Sequence, residues 1–438
     1  MAEIRPFAAI RPAADKVDRI AALPYDVYTK REAIEEVSDN EDSFLRIDKP
    51  EINFLAGAGD DIYEKAGEIF LEMCRDGRFI QDESKCFYIY ELTMNGHVQT
   101  GLVALVSSDD YEKGVIKRHE NTLEAKELDR VRHIRALGAE SGLVYLAYSG
   151  AEELTHIMSE SKLYAENSTG DASLLYDFTR PDGVRHRVFR IDDESLIEKI
   201  KAIIKDVESL YICDGHHRAA AAVRNAMELK KEGRFGDETG YFPAALFPAS
   251  ELRIMDYNRV VKMDDDMDPD ELLVYLMDKC SICPVMEFGG FKERESSDPR
   301  EAIDKKHHDF LESTVRPDKK GQFSLYIDGR WYRCEFKEKP ESDPAGSIDT
   351  ARLQNDILSP IFGIDDPRND ERIDFIGGIK GIEEVERLVD EGEYDAGFIM
   401  YPTKIRELMA VADAKELMPP KSTWFEPKLL SGLFIHKL

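Results

Sequence analysis

Tyr211-Ile-Cys-Asp-Gly-His-His-Arg-Ala-Ala-Ala-Ala222 is the stretch on which the reading of this chain turns. With Leu210 before it, it opens as a short apolar strand over Leu210, Tyr211 and Ile212 and stops at Asp214-Gly215. It resumes as an alanine-rich run with helical spacing through Val223, Ala226 and Leu229. A strand, a glycine turn and a helix start form a natural anion site. The first N–H groups of a helix have no partner within it, and the peptide dipoles place partial positive charge there. Gly215 lets a ligand approach the backbone closely. His216, His217 and Arg218 add donors at the same end. A histidine pair alone is commonly a surface or core feature. Beside Asp, Gly and Arg at a strand-to-helix turn it reads as a functional site.

A second informative stretch is Gly114-Val-Ile-Lys-Arg-His-Glu120. Lys117, Arg118 and His119 are adjacent basic residues in an acidic chain. Asn121 with Glu124 three residues on reads as a helix start, and Leu128, Val131, Ile134 and Leu137 share one face before Gly138. Glu120 therefore stands between a strand end and a helix. On local pattern alone it is either a carboxylate facing a cleft or part of a solvated charged turn. Tyr25 and Asp26, just before the Thr29-Lys-Arg-Glu32 capping box, either reach the site or form a structural turn. The third stretch is the proline-ruled run Met418-Pro-Pro-Lys-Ser-Thr-Trp-Phe-Glu-Pro-Lys428 near the C-terminus.

At 438 residues the chain is long enough for two or three domains. Its net charge of −29, from 59 basic and 88 acidic residues, repels polyphosphate backbones and counts against nucleic-acid binding. A small anionic ligand stays compatible, because a few cations can be focused in one cleft. No apolar run approaches a membrane span, and the N-terminus has no charged-then-apolar signal pattern. Six cysteines fit a reduced, cytoplasmic protein, and Cys280-Ser-Ile-Cys283 has no second pair to make a zinc site. Two hairpins are expected, with Asn95-Gly96 and Asp328-Gly329 as their turns. From about Met263 the texture becomes more acidic, which places a boundary there.

The chain has no G-x-x-x-x-G-K-[ST] loop, no glycine-rich dinucleotide fingerprint, no H-E-x-x-H and no G-x-S-x-G. A phosphate cradle, a poised carboxylate and a lysine–hydroxyl loop remain. These suit phosphoryl transfer, which needs donors on the phosphate oxygens, a bridging metal and a group to take the acceptor's proton. Glu120 is the candidate general base. Asp214 is positioned either to hold Mg²⁺ or to orient a histidine.

Ile4-Arg-Pro-Phe, Leu23-Pro-Tyr-Asp-Val, Lys117-Arg-His-Glu-Asn-Thr, Asp214-Gly-His-His-Arg and Pro420-Lys-Ser-Thr-Trp-Phe-Glu-Pro-Lys resemble the domain-of-unknown-function 1015 family, described as ParB-like or SpoOJ-type regulators. Three stretches also resemble the free-serine kinases of the ParB/sulfiredoxin fold, in the same order along the chain. That resemblance implies an α+β fold: a ParB/sulfiredoxin-like mixed, nucleotide-binding core (111–262), with an N-terminal α+β region (1–110) and a C-terminal α+β region (263–438) that contributes a substrate-side loop. It implies transfer of a phosphoryl group from ADP or ATP, with Mg²⁺, to a small hydroxyl substrate such as L-serine. It places Glu120 and His119 in catalysis. Asp214, Gly215, His216, His217 and Arg218 fall on the nucleotide phosphates, and Lys421, Ser422 and Thr423 on substrate. Ser422 stands where those kinases have threonine, and the gap from Glu120 to Asp214 is longer than theirs. The other expectation is a ParB-like nucleotide-binding regulator without kinase activity.

Overall fold

Asn95 and Gly96 both take positive φ, 50° and 74°, as the two-residue hairpin turn requires. They join strands Phe87–Met94 and His97–Ser107, with Met94 opposite His97. Asp328 and Gly329 repeat the solution at 49° and 67°, between Gln322–Ile327 and Arg330–Phe336. Both expected hairpins are present. The Thr29 capping box is formed as well, at the start of helix Lys30–Glu36.

The computed structural model describes residues 1–54, 61–167, 174–264, 267–285 and 306–438. The chain divides into two compact units, Met1–Leu252 with Pro427–Leu438, and Arg253–Glu426. The first is built on a nine-stranded mixed sheet. Its strands are β1 (Ile4–Arg5), β2 (Phe87–Met94), β3 (His97–Ser107), β4 (Ile116–Lys117), β5 (Val144–Tyr148), β6 (Leu174–Thr179), β7 (Arg185–Ile191), β8 (Leu210–Asp214) and β9 (Tyr241–Pro248). Their order is β4-β8-β5-β9-β3-β2-β7-β6, with β1 added to β3. Two pairings are parallel, β4 with β8 and β5 with β9, and the others are antiparallel. The core is lined by Phe87, Ile89, Leu102, Val144, Leu146, Leu210, Ile212 and Phe242 on one face. The fold is mixed α+β with a large mixed sheet.

The sequence reading separates 1–110 from 111–262, whereas the sheet joins them. β9 pairs with β3 over six residues, so the N-terminal hairpin and the core strands lie in one layer. A strand's neighbours are set by long-range pairing, which texture along the chain does not report. The second unit carries a six-stranded antiparallel sheet: β10 (Tyr257–Val261), β11 (Cys280–Pro284), β12 (Gln322–Ile327), β13 (Arg330–Phe336), β14 (Ile373–Gly377) and β15 (Ala396–Met400), in the order β11-β13-β12-β15-β10-β14. The last residues return to the first unit, where Ile435 exchanges backbone hydrogen bonds with Ile10, both 2.9 Å. Among the described residues no helix is long and apolar enough to cross a membrane.

Two buried imidazoles in the first unit make its stability pH-dependent. His186 Nδ1 meets the Tyr90 hydroxyl at 2.8 Å, and His133 Nε2 meets the Ile47 carbonyl at 2.8 Å. Burial pushes His186 down to about 3 and His133 to about 4, helped by Arg180 and Arg130 respectively. Below pH ~6.5 the unfolded chain takes protons that these folded rings refuse. Stability is therefore full above that pH and falls as pH drops toward about 4, by up to roughly 1.4 kcal/mol per pH unit per histidine. Melting temperature should fall between pH 7 and pH 5, and His186→Phe should flatten that slope. A melting temperature that holds steady over this range would contradict the linkage.

Candidate active site

β4 and β8 are parallel neighbours, with Ile116 opposite Leu210 and Lys117 opposite Tyr211. Parallel strands end at the same sheet edge, so whatever follows each of them meets there. His119 and Glu120 follow β4. Gly215 and His216 follow β8. Two segments far apart in sequence are thereby brought together at one sheet edge.

Gly215 is the pivot. Its φ of 87° lies in the left-handed region, and it caps helix α1 (His216–Lys231) with no side-chain cap bond. The chain turns sharply from strand into helix, and the first amides of α1 face the sheet edge. A Cβ here would also stand 3.5 Å from the Val144 Cα. Gly215→Val should cost about 1–3 kcal/mol through the backbone alone. It should also abolish any nucleotide-induced rise in melting temperature. A valine variant that keeps wild-type stability would contradict this account of the turn.

The His119 and His216 rings meet edge to face, centroids 4.5 Å apart at 88°. One donor atom from each of His119, Glu120 and His216 lies within 4.8 Å of the others. Both rings are buried and Glu120 is half-buried. Burial holds His119 down to about 4, against a backbone hydrogen bond to Ile212 and the charge of Asp214 that raise it. Burial likewise holds His216 well below the usual imidazole range, with His119 adding to the effect. Both imidazoles are thus neutral at neutral pH. His217, one residue on, accepts the Leu123 N–H at 3.2 Å. That bond ties α1 to the start of helix α2 (Glu124–Leu137), whose N-cap is Leu123 rather than the expected Asn121.

Asp214 ends β8 with both oxygens engaged. Oδ1 accepts the Gly215 N–H at 2.8 Å, and Oδ2 accepts the Lys428 ammonium at 3.0 Å. Burial would raise this carboxyl. Lys428, Arg218 and the Gly215 N–H outweigh it and hold the group far below the usual carboxylate range. Lys428 belongs to the returning C-terminal segment and is itself largely buried. In the sequence Lys428 is the last residue of the proline-ruled run, and nothing there marks it as the partner of Asp214. A lysine already fills the place where a Mg²⁺ ion would meet the outer oxygen of Asp214, so Asp214 does not fit the expected metal ligand in this arrangement.

Arg218 turns the other way. Two residues along a helix rotate a side chain by about 200°, so Arg218 leaves the face that His216 occupies. Its guanidinium donates to the Leu143 carbonyl at 3.3 Å and lies 5.9 Å from the Tyr25 ring. There it lines a small cavity, about 30 Å³, with Asp48, Arg130, His133 and Glu140. Arg130 stacks on Tyr25 at 4.1 Å and pairs with Asp48 at 3.3 Å. Tyr25 therefore belongs to this neighbouring charged cluster. Asp48 and Arg130 carried no recognisable motif in the sequence.

Lys421, Ser422 and Thr423 lie in the second unit. Lys421 has a φ of 59°, and its carbonyl accepts from Arg259 at 3.0 Å. Ser422 is buried. Its hydroxyl accepts from Thr350 at 2.8 Å and donates to the Pro419 carbonyl at 2.7 Å, and its carbonyl accepts from Thr403 at 2.9 Å. These bonds pin the turn that precedes Trp424.

The family described as "Protein of unknown function (DUF1015)" matches residues 4–354. The chain belongs to this family. None of the curated proteins compared with the DUF1015 chain matches it. Among solved structures it is similar to a conserved hypothetical protein from Pyrococcus furiosus, at 13% identity over 74% of this chain and 90% of that one, TM-score 0.32. It is similar to a free serine kinase variant in complex with AMP, at 13% identity over 74% and 87%, TM-score 0.34. It is also similar to C-terminally truncated SbnI from Staphylococcus aureus, at 10% identity over 75% and 85%, TM-score 0.35. The ParB or SpoOJ regulator expectation finds no support in these matches.

Proposed function

We propose that this DUF1015 chain is a cytoplasmic small-molecule kinase, built on a ParB/sulfiredoxin-like core, that transfers the terminal phosphoryl group of ADP or ATP to a hydroxyl, with L-serine the first acceptor to test. One observation carries the reading. Parallel pairing of β4 with β8 brings a Glu120 carboxylate oxygen within 4.8 Å of ring nitrogens of His119 and of His216, the first residue of α1. A helix N-terminus binds phosphate, and a half-buried carboxylate next to it accepts a proton. The Asp214-Gly-His-His-Arg and His119-Glu pieces shared with free-serine kinases support the same assignment.

In this reading the nucleotide phosphates sit on the amides that follow Gly215, with His216 and His217 as side-chain donors. The acceptor hydroxyl lies on the Glu120 side. Its oxygen attacks the terminal phosphorus, a new P–O bond forms, and the bond to the bridging oxygen breaks. The hydroxyl proton passes to Glu120, and AMP or ADP leaves. Asp214 and Lys428 hold the turn, and no step passes through a metal at Asp214. Lys421, Ser422 and Thr423 are proposed on the substrate side, as the resemblance to free-serine kinases implies.

Thermal-shift titration with ADP, ATP and CTP tests the cradle. A nucleotide at one hundred times its Kd stabilises by about 2.7 kcal/mol, a shift of several degrees. The kinase reading expects a shift with ADP or ATP, and phosphorylated acceptor when L-serine is added. A shift without any phosphorylated product would favour the nucleotide-binding regulator. No shift with any nucleotide would remove both.

A further inference from the structure

We infer that His119, Glu120 and His216 form a binding site for a divalent transition-metal ion of the zinc type. Two imidazoles and one carboxylate are a donor set that suits Zn²⁺ and its first-row neighbours, whereas Mg²⁺ and Ca²⁺ prefer oxygen alone. Their donor atoms lie within 4.8 Å of one another. Ligands bonded at about 2.0 Å around a tetrahedral ion stand roughly 3.3 Å apart, so the three atoms need to close by at most about 1.5 Å. Side-chain rotation supplies that, since His119 and Glu120 sit on a segment with no helix or strand pairing.

A second observation points to a ligand. His216 is only 6% exposed, and its Nε2 is buried with no hydrogen-bond partner. A buried ring nitrogen without a partner is costly, and a metal ion satisfies it. The neighbouring ring is already oriented for the purpose: His119 is hydrogen-bonded to the Ile212 backbone. A ligating histidine is commonly fixed in this way through its other nitrogen. Three protein donors leave a coordination position open for water or an anionic ligand.

The inference concerns binding alone: an ion held by Glu120 and His216 would withdraw both from the roles proposed above, so its test reads metal content rather than turnover. The chain is stripped with chelator, then dialysed against limiting Zn²⁺ in excess Mg²⁺, and bound metal is counted. Co²⁺ is used in parallel for its visible absorption. The wild type should retain one equivalent of Zn²⁺, and Co²⁺ should give a low-symmetry visible spectrum. His216→Ala and Glu120→Gln should each weaken Zn²⁺ at least ~10- to 100-fold. Should His216→Ala fail to fold, Glu120→Gln and the Co²⁺ spectrum still decide. The inference is overturned if Zn²⁺ binds no tighter than Mg²⁺, or if both variants bind it as the wild type does. Kinase activity is read on the metal-stripped chain with Mg²⁺ added: its absence there, with one Zn²⁺ bound on reloading, would count against the kinase reading and leave this site in place.

Discussion

Glu120→Gln is expected to lower turnover by about 100- to 10,000-fold while nucleotide affinity stays within a few-fold of wild type. Glutamine keeps the size and the polarity of the side chain and removes only its basicity. The amides that follow Gly215 and the His217 bond to Leu123 do not depend on that charge. A base that acts on the acceptor in the transition state changes kcat rather than nucleotide binding. Calorimetry with ADP or ATP, beside a single-turnover assay, separates the two quantities. Equal loss of binding and turnover would make Glu120 a ligand-holding group instead. Normal turnover would take the carboxylate out of the chemistry altogether.

The largest effect on stability is expected at Arg130. Its side chain is 8% exposed, and its Asp48 partner is 4% exposed, 3.3 Å away. Burial alone would raise the Asp48 carboxyl; Arg218, Arg130 and His133 together hold it below the usual range. Arg130→Met removes the direct partner and leaves a buried carboxylate. Breaking such a pair costs about 3–5 kcal/mol, mostly from the charge left behind. Urea unfolding should register the loss, and Asp48→Asn in the same chain should recover part of it. A loss below ~1 kcal/mol would mean that Arg218 alone satisfies Asp48. The same substitution removes the stack on Tyr25, so the Leu23-Pro-Tyr-Asp-Val run should become more open to proteolysis.

The local parts of this architecture were readable from residue types. Asn95-Gly96 and Asp328-Gly329 adopt positive φ at both positions because turn chemistry is a property of two residues. Gly215 and the helix after it follow from one glycine and a run of alanines. The non-local parts were not readable. The Asp214–Lys428 pair spans 214 residues and depends on the C-terminal segment returning to the first unit. The Asn121 pattern misplaced the helix start because His217, from 94 residues further on, takes the Leu123 N–H. Arg218 looked like a third phosphate donor. Helix rotation carries it to the Leu143 carbonyl and the Asp48 cluster, a direction that sequence adjacency does not reveal. The division into units missed the pairing of β3 with β9 for the same reason.

One measurement bears most directly on the central claim. The purified chain is incubated with L-serine, Mg²⁺ and either ADP or ATP, and O-phosphoserine is sought by mass spectrometry, with Glu120→Gln treated identically. Phosphoserine from the wild type, and at least ~100-fold less from the variant, is the expected result. No phosphoserine with either donor would contradict serine as the acceptor, and equal amounts from the two proteins would contradict the role of Glu120.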